Sequence, residues 1–228
     1  MIDKRVDSAA AALADLPDGA SIMISGFGGP GVPANLIRAL DATGARNLTL
    51  ITNSLRFIEG QAPRMLEDKR VVKAVCSAFR GRGETPSAYE LQWQAGELEI
   101  DLSPQGTLAE RIRAGGAGIP AFFTPTAAGV QLGEGKETRE FNGRPCVLET
   151  ALTADYAILR AAEADRFGNL RFRGSQANFG PAMATAARIA IVEVQHFSET
   201  PLAPEQIGLS GVYVQRVIHL PDTGAING

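Results

Sequence analysis

One stretch of the sequence, residues 18–33, constrains the fold of this chain more than any other. Its short apolar run, residues 22–24, has the pattern of a strand that is buried on both faces. A glycine-rich segment follows and leads to Pro33, a residue that suits the first turn of a helix. Residues 34–40 continue as a helix that ends near Gly44. The stretch therefore predicts a strand, a glycine turn and a helix in succession.

The glycine-rich segment is the candidate ligand-binding loop. Its glycines permit positive φ angles and a close approach of the backbone to a ligand. Free amides at such a junction, together with the helix dipole, favour an anion or a developing negative charge. The segment lacks the Lys-Ser/Thr pair of a phosphate loop, and the last glycine of a dinucleotide motif is displaced. The pattern favours a ligand-facing loop and leaves a purely structural turn as the alternative.

A largely parallel open sheet flanked by helices is the fold class that the remaining pattern predicts. Residues 47–52 form a second strand, so the strand-helix-strand order indicates a right-handed βαβ unit. Asn53 and Ser54 follow it at the sheet edge where ligands gather. Further strands are predicted at residues 71–77, 98–102, 155–160, 188–194 and 212–218. Further helices are predicted at residues 4–16, 57–67, 87–95, 108–114 (with Thr107 as the cap) and 181–187.

Three connecting segments have distinct patterns. Residues 115–126, rich in glycine and proline around an apolar centre, predict either a packed loop or a tight helix exit into a short strand. The charged residues 134–142 predict an exposed hairpin that turns at Asn142-Gly143. A second hairpin turn is predicted at Gly168-Asn169.

Length and composition set the class of protein. The chain has 228 residues, 45% of them hydrophobic and 21% charged, which is typical of one large α/β domain over residues 1–228. The net charge of -3 and the scattered signs give no indication of a nucleic-acid partner. Without a signal-peptide pattern or a bilayer-length apolar run, we expect a cytoplasmic protein that does not bind membranes. Cys76 and Cys146 are expected to be buried free thiols.

No side chain is marked as a catalytic group. With only His196 and His219, a nucleophile-histidine-acid triad and a His-rich metal site are both excluded. Ser25 lacks the Gly-x-Ser-x-Gly surroundings of a nucleophile elbow. The carboxylates occur in patterns of solvated strands and loops. The chain thus offers a ligand cradle without a catalytic or metal-binding residue, which predicts a partner that supplies the reacting group.

Three ordered motifs resemble those of a known family, the A (alpha) subunits of the family I coenzyme A transferases. The first is Asp18-Gly19, three apolar residues, Gly26-Phe27, Gly31 and Pro33. The second runs from Ser103-Pro104-Gln105-Gly106-Thr107 to Phe122, and the third is residues 164–170 followed by Asn178-Phe179. The resemblance covers nearly the whole chain.

The resemblance implies an enzyme component that works with a partner. A B (beta) subunit is expected, as two A and two B chains, and its glutamate attacks the acyl-CoA thioester by a ping-pong route. The B-subunit motif around that glutamate is absent here. CoA moves from an acyl-CoA such as succinyl-CoA to a 3-oxo acid. Coenzyme A thioester is then a substrate, and no cofactor is expected to be permanently bound.

The family's CoA-binding loop corresponds to residues 25–31 of this chain. The resemblance therefore assigns cofactor-type binding to Ser25, Gly26, Phe27, Gly28, Gly29, Pro30 and Gly31. Two departures accompany it: Ser25 replaces a common glycine, and Asn53-Ser54-Leu55-Arg56 replaces Asn-Asn-Ala-Gly. The identity of the 3-oxo acid stays open. Two alternatives remain, a sugar-phosphate isomerase and a non-catalytic module that binds CoA or a nucleotide.

Overall fold

A parallel sheet forms the centre of the structure, a computed structural model that describes residues 2–80 and 85–220. The strands are β1 (Ser21–Ile24), β2 (Leu48–Ser54), β3 (Val71–Ala78), β4 (Glu99–Leu102), β5 (Ala121–Thr124), β6 (Thr138–Phe141), β7 (Arg144–Thr150), β8 (Ala154–Asp165), β9 (Leu170–Arg171), β10 (Ala187–Ser198) and β11 (Arg216–His219). The helices are α1 (Ala9–Ala12), α2 (Ala34–Thr43), α3 (Arg56–Glu59), α4 (Pro63–Glu67), α5 (Ala88–Gln94), α6 (Gln105–Gly116) and α7 (Gly180–Ala186).

The main sheet has the order β11-β10-β8-β1-β2-β3-β4. All neighbours along this path are parallel, and β9 adds an antiparallel hairpin arm to β8. A small antiparallel sheet, β5-β7-β6, is formed between α6 and β8 in the chain. The predicted fold class, a largely parallel open sheet flanked by helices, is confirmed.

The two faces of β1 pack against different groups of helices. Ile22 and Ile24 face the core that includes α1 to α5, whereas Met23 faces the core that includes α6 and α7. All three side chains are buried. The predicted strand buried on both faces is therefore confirmed, and so is the helix after it, which ends at Gly44 with φ 75°.

Strand β1 lies at the point where the strand order reverses. From β1 the sheet grows through β2, β3 and β4 to one side, and the later strands β8, β10 and β11 fill the other side. At such a switch point the connections leave in opposite directions, which opens a crevice at the carboxyl ends of the strands. The glycine-rich segment follows β1 and therefore emerges at this crevice.

The predicted amino-terminal helix over residues 4–16 is wrong in its first half. Only α1, Ala9–Ala12, is helical, and Arg5 forms a parallel bridge with Val217 in β11. The amide of Val6 donates to the Val217 carbonyl at 2.9 Å. The free edge of β11 thus takes up this segment as an extended chain, because it satisfies backbone groups that a marginal surface helix would leave to water.

Other element boundaries also differ from the predictions. Helix α6 begins at Gln105 after Pro104, so Thr107 lies inside the helix and does not cap it. Residues 57–67 contain two short helices, α3 and α4. Residues 212–218 begin as a 3₁₀ turn, and β11 starts at Arg216.

The short-strand alternative for residues 115–126 is confirmed, since α6 continues to Gly116 and β5 follows at Ala121. The hairpin turns at Asn142-Gly143 and Gly168-Asn169 are confirmed. Cys76 and Cys146 are free and buried, and burial raises the pKa of Cys76 to about 12, which makes its thiol unreactive.

No helix in residues 2–80 and 85–220 is both long and apolar enough to cross a bilayer.

The packing of α6 against α7 predicts that Gly116→Ala destabilises the protein. A Cβ at this position would lie 2.1 Å from Thr185 Oγ1 and 3.0 Å from the Thr185 carbonyl carbon. Overpacking of this kind costs about 1–3 kcal/mol. Gly106→Ala, in the same helix, meets no atom within 4 Å and should leave stability unchanged or slightly raised. Urea unfolding of both variants measures the difference, and equal midpoints would contradict the packing argument.

Candidate functional site

The glycine-rich loop, residues 25–31, is closed by its own hydrogen bonds. The Ser25 hydroxyl is buried and donates to the Gly31 carbonyl at 2.7 Å. The amide of Phe27 donates to the Pro30 carbonyl at 3.1 Å. The serine that replaces a common family glycine therefore joins the two ends of the loop through its hydroxyl.

Two of the loop glycines are required by close packing. A Cβ on Gly26, where φ is 120°, would lie 2.4 Å from a methyl carbon of Val32. A Cβ on Gly31, where φ is 77°, would lie 2.6 Å from the Gln176 carbonyl oxygen. Gly28 also has a positive φ, 64°, but it is exposed and faces open space. The loop is thus packed at its ends and open in its middle.

Asn178 connects the loop to the segment before α7. Its side-chain oxygen accepts from the Gly26 amide at 3.2 Å, and its side-chain nitrogen donates to the Pro30 carbonyl at 2.9 Å. The sequence contained Asn178 only as part of a motif that carried the resemblance, without a role. Its position shortly before a helix and far along the chain gave no local signal of this contact.

The loop amides divide into two groups. Those of Ser25, Gly26 and Phe27 donate to protein oxygens. The amides of Gly28, Gly29 and Gly31 have no acceptor in the part of the chain that the structure describes. Unpaired amides on a glycine turn form a concave set of donors suited to an anion or a carbonyl oxygen.

A pocket of about 330 Å³ opens beside the loop. Its lining combines apolar and amide side chains from the loop, the first turns of α6 and the segment before α7: Phe27, Gln105, Gly106, Ala109, Asn178 and Phe179. Phe27 is 49% exposed, an unusual state for a large apolar side chain unless a ligand or partner covers it. None of these six lining residues carries a carboxylate, hydroxyl, thiol or imidazole group.

Asn53 brings a second polar group to the same edge of the sheet. Its side-chain oxygen accepts from the Ser77 hydroxyl and from the Gln105 amide nitrogen, each at 2.8 Å. The carboxyl ends of β2 and β3 are thereby tied to the first turn of α6. The expectation that the Asn53-Ser54 edge lies at the site is confirmed for Asn53. Gln105 was missed, although its place one turn after β4 at that edge was a usable signal.

Helix α2 does not offer its amino terminus to a ligand. Glu193, on β10, is fully buried, and one oxygen of its carboxyl group accepts from the amides of Asn35 and Leu36, each at 3.0 Å. A guanidinium nitrogen of Arg160 lies 3.8 Å from the other oxygen. The sequence suggested that the helix dipole would favour an external anion. The protein's own carboxyl group occupies that position, so only the loop amides remain for a ligand.

Burial raises the pKa of Glu193 to about 7. The amide of Leu36, the charge of Arg160 and the amide of Asn35 act in the opposite direction, because each stabilises the carboxylate. Desolvation outweighs these contacts because the side chain is fully removed from solvent.

Comparison with known proteins gives a consistent family. The family model for coenzyme A transferase matches residues 6–220. The chain is 46% identical over 226 residues to the A subunit of the 3-oxoadipate CoA-transferase of Pseudomonas putida, covering 99% of this chain and 97% of that protein. It is 42% identical to the mitochondrial succinyl-CoA:3-ketoacid coenzyme A transferase 2A of Rattus norvegicus, covering 92% of this chain but 43% of the rat protein.

Among solved structures, a variant of the decarboxylase AibA/AibB superposes with a TM-score of 0.79. The match has 27% identity and covers 100% of this chain and 87% of that chain.

The environment of Glu193 predicts a pH dependence of stability. The folded state holds the Glu193 proton more tightly than the unfolded chain does. This contribution to the free energy of unfolding is therefore present below pH 4.5 and is lost as the pH rises through about 7. E193Q removes the titration. Between these pH values the stability of the wild type should fall relative to E193Q by roughly 3 kcal/mol. Urea unfolding at several pH values measures this, and parallel curves would contradict it.

Proposed function

This chain belongs to the coenzyme A transferase family, and we propose that it is the A subunit of an enzyme that moves CoA from an acyl-CoA to a 3-oxo acid. The relatives' names supply the reaction class, since one acts on 3-oxoadipate and another on succinyl-CoA and 3-keto acids. The observation that carries the proposal is an open pocket beside a loop with unpaired amides and without a nucleophile among its six lining residues. Family membership favours this function over the isomerase and the non-catalytic module.

The loop of residues 25–31 is proposed to bind the thioester end of the CoA substrate. The unpaired amides of Gly28 and Gly29 would donate to oxygen atoms on which negative charge develops during attack on the carbonyl. One donor of this kind contributes about 3 kcal/mol to transition-state stabilisation. Phe27 and Phe179 would pack against apolar parts of the substrate. Coenzyme A thioester is then a substrate and not a resident cofactor.

The nucleophile is proposed to be a glutamate of a B subunit. Its carboxylate would attack the acyl-CoA carbonyl to form a mixed anhydride and release the CoA thiolate. Attack of that thiolate on the glutamyl carbonyl would give a glutamyl-CoA thioester and the free acid. The carboxylate of the 3-oxo acid would then enter by the same steps in reverse. This chain accounts for 43% of the rat relative, so a second chain is needed to supply the remainder.

An assembly of two A and two B chains, with succinyl-CoA as the donor, follows from the family resemblance and completes the proposal. The pocket is open on the side where Phe27 is exposed. A partner placed there would cover Phe27 and bring its glutamate to the loop amides.

Co-expression with the B subunit tests the division of labour. The complex should transfer CoA from succinyl-CoA to a 3-oxo acid, whereas this chain alone should not. Borohydride reduction after incubation with succinyl-CoA, followed by peptide mass spectrometry, locates the glutamyl thioester. We expect the reduced residue on the B chain. A reduced glutamate on this chain, or release of CO₂ in place of CoA transfer, would contradict the proposal.

Gly28→Val tests the role of the loop. The substitution adds bulk to the exposed middle of the loop, and the loss in kcat/KM of the complex should be about tenfold or more because a donor amide is displaced. Gly44→Val is the matched control. Gly44 also has a positive φ, 75°, and open space around it, but it lies at the far end of α2. Both variants share the backbone strain, so equal kinetic effects would show that the loop is only a structural turn.

A further inference from the structure

Asn178 uses its full hydrogen-bonding capacity at the boundary between the loop and the pocket. Its side-chain oxygen accepts from the Gly26 amide and from the Phe179 amide, at 3.2 and 2.7 Å. Its side-chain nitrogen donates to the carbonyls of Pro30 and Ser175, at 2.9 and 2.8 Å. Two of the four bonds hold the loop and two hold the segment before α7. The side chain therefore joins two parts of the chain that no strand pairing connects.

The two loop atoms that Asn178 holds lie at opposite ends of the loop. Gly26 follows β1, and Pro30 precedes the turn into α2. Ser25 joins the same ends from inside through its bond to Gly31. Between these fixed ends lie Gly28 and Gly29, whose amides have no acceptor in the described ranges. The ends of the loop are fixed by side chains, and the middle is left with donors available.

Packing alone does not hold the loop in this conformation. Gly28 is exposed and Phe27 is half exposed, so few apolar contacts restrain them. Gly28 and Gly29 also have the widest range of backbone conformations of any residue type. Hydrogen bonds from Asn178 are thus the contacts outside the loop that set where its middle amides lie.

We propose that Asn178 is a positioning residue for the transfer reaction: it holds the loop of residues 25–31 so that the Gly28 and Gly29 amides meet the reacting carbonyl. This rests on the proposed function of the loop. Asn178 does not itself need to contact the thioester. Its loss lets the donors move away from the carbonyl, and a displacement of about 1 Å reduces rates by up to about 100-fold.

Kinetics of the assembled complex test the proposal. Asn178→Ala should lower kcat by about 10- to 100-fold, with a smaller change in the KM for acyl-CoA, because the misplaced amides act on the transition state. Asn178→Asp keeps the size of the side chain and the acceptor for Gly26, but it loses the donation to Pro30. It should lower kcat as well. If the alanine variant does not assemble, the aspartate variant decides by the same measurement.

Asn169→Ala is the matched control. Asn169 also joins distant segments, donating to Asp165 at 2.8 Å and accepting from the Gly211 amide at 2.8 Å, but it lies in the β8-β9 hairpin. Its loss should lower stability and leave kcat unchanged. An equal fall of kcat in both asparagine-to-alanine variants would show a general structural effect and overturn the proposal, as would an unchanged kcat in Asn178→Ala.

Hydrogen exchange separates this inference from the proposed function. Loss of Asn178 should speed exchange of the Gly26 amide, because that amide loses its acceptor, whereas Asn169→Ala should not. Unchanged exchange would overturn the positioning role even in an active complex. A wild-type complex that transfers no CoA would instead overturn the proposed function and, with it, the catalytic consequence of Asn178.

Discussion

Strand β1 is hydrogen-bonded on both edges and buried on both faces, and the position of the site depends on that constraint. Its neighbours β2 and β8 occupy the two edges. The pairing with β8 extends to Ser25, whose amide donates to the Ile158 carbonyl at 3.2 Å. The chain can leave only at the carboxyl end, into the crevice at the reversal of strand order. Gly26 then turns where a Cβ would collide with Val32.

Two sets of backbone amides lie close to this exit, and the protein treats them differently. Those at the start of α2 are satisfied internally by Glu193, which lies on the second strand away from β1. Those in the middle of the loop are left without an acceptor in residues 2–80 and 85–220. An internal carboxyl group at the helix and open amides in the loop mean that any ligand meets backbone donors without competing for the helix terminus. The anion site is therefore made by the turn and not by the helix dipole.

The pocket beside the loop supplies surface and hydrogen-bond donors and acceptors but no reactive group. Its phenyl rings and amide side chains can hold and orient a substrate, whereas bond-making needs a nucleophile that these lining residues lack. The half-exposed Phe27 marks the side that is open. A family in which relatives carry the name of a subunit, or occur as a chain of more than twice this length, fits a site completed by additional protein.

The sequence by itself determined the elements that depend on local pattern: the buried strand at residues 22–24, the glycine turn, α2 with its stop at Gly44, and the hairpin turn at Asn142-Gly143. These follow from side-chain period and φ requirements within a few residues. Only the tertiary structure decided which distant groups meet. Asn178 bonds Gly26 across 152 positions, and Glu193 bonds Leu36 across 157. Such pairings are selected by packing of the whole sheet, and a hydrogen bond between distant segments leaves no periodicity in either segment.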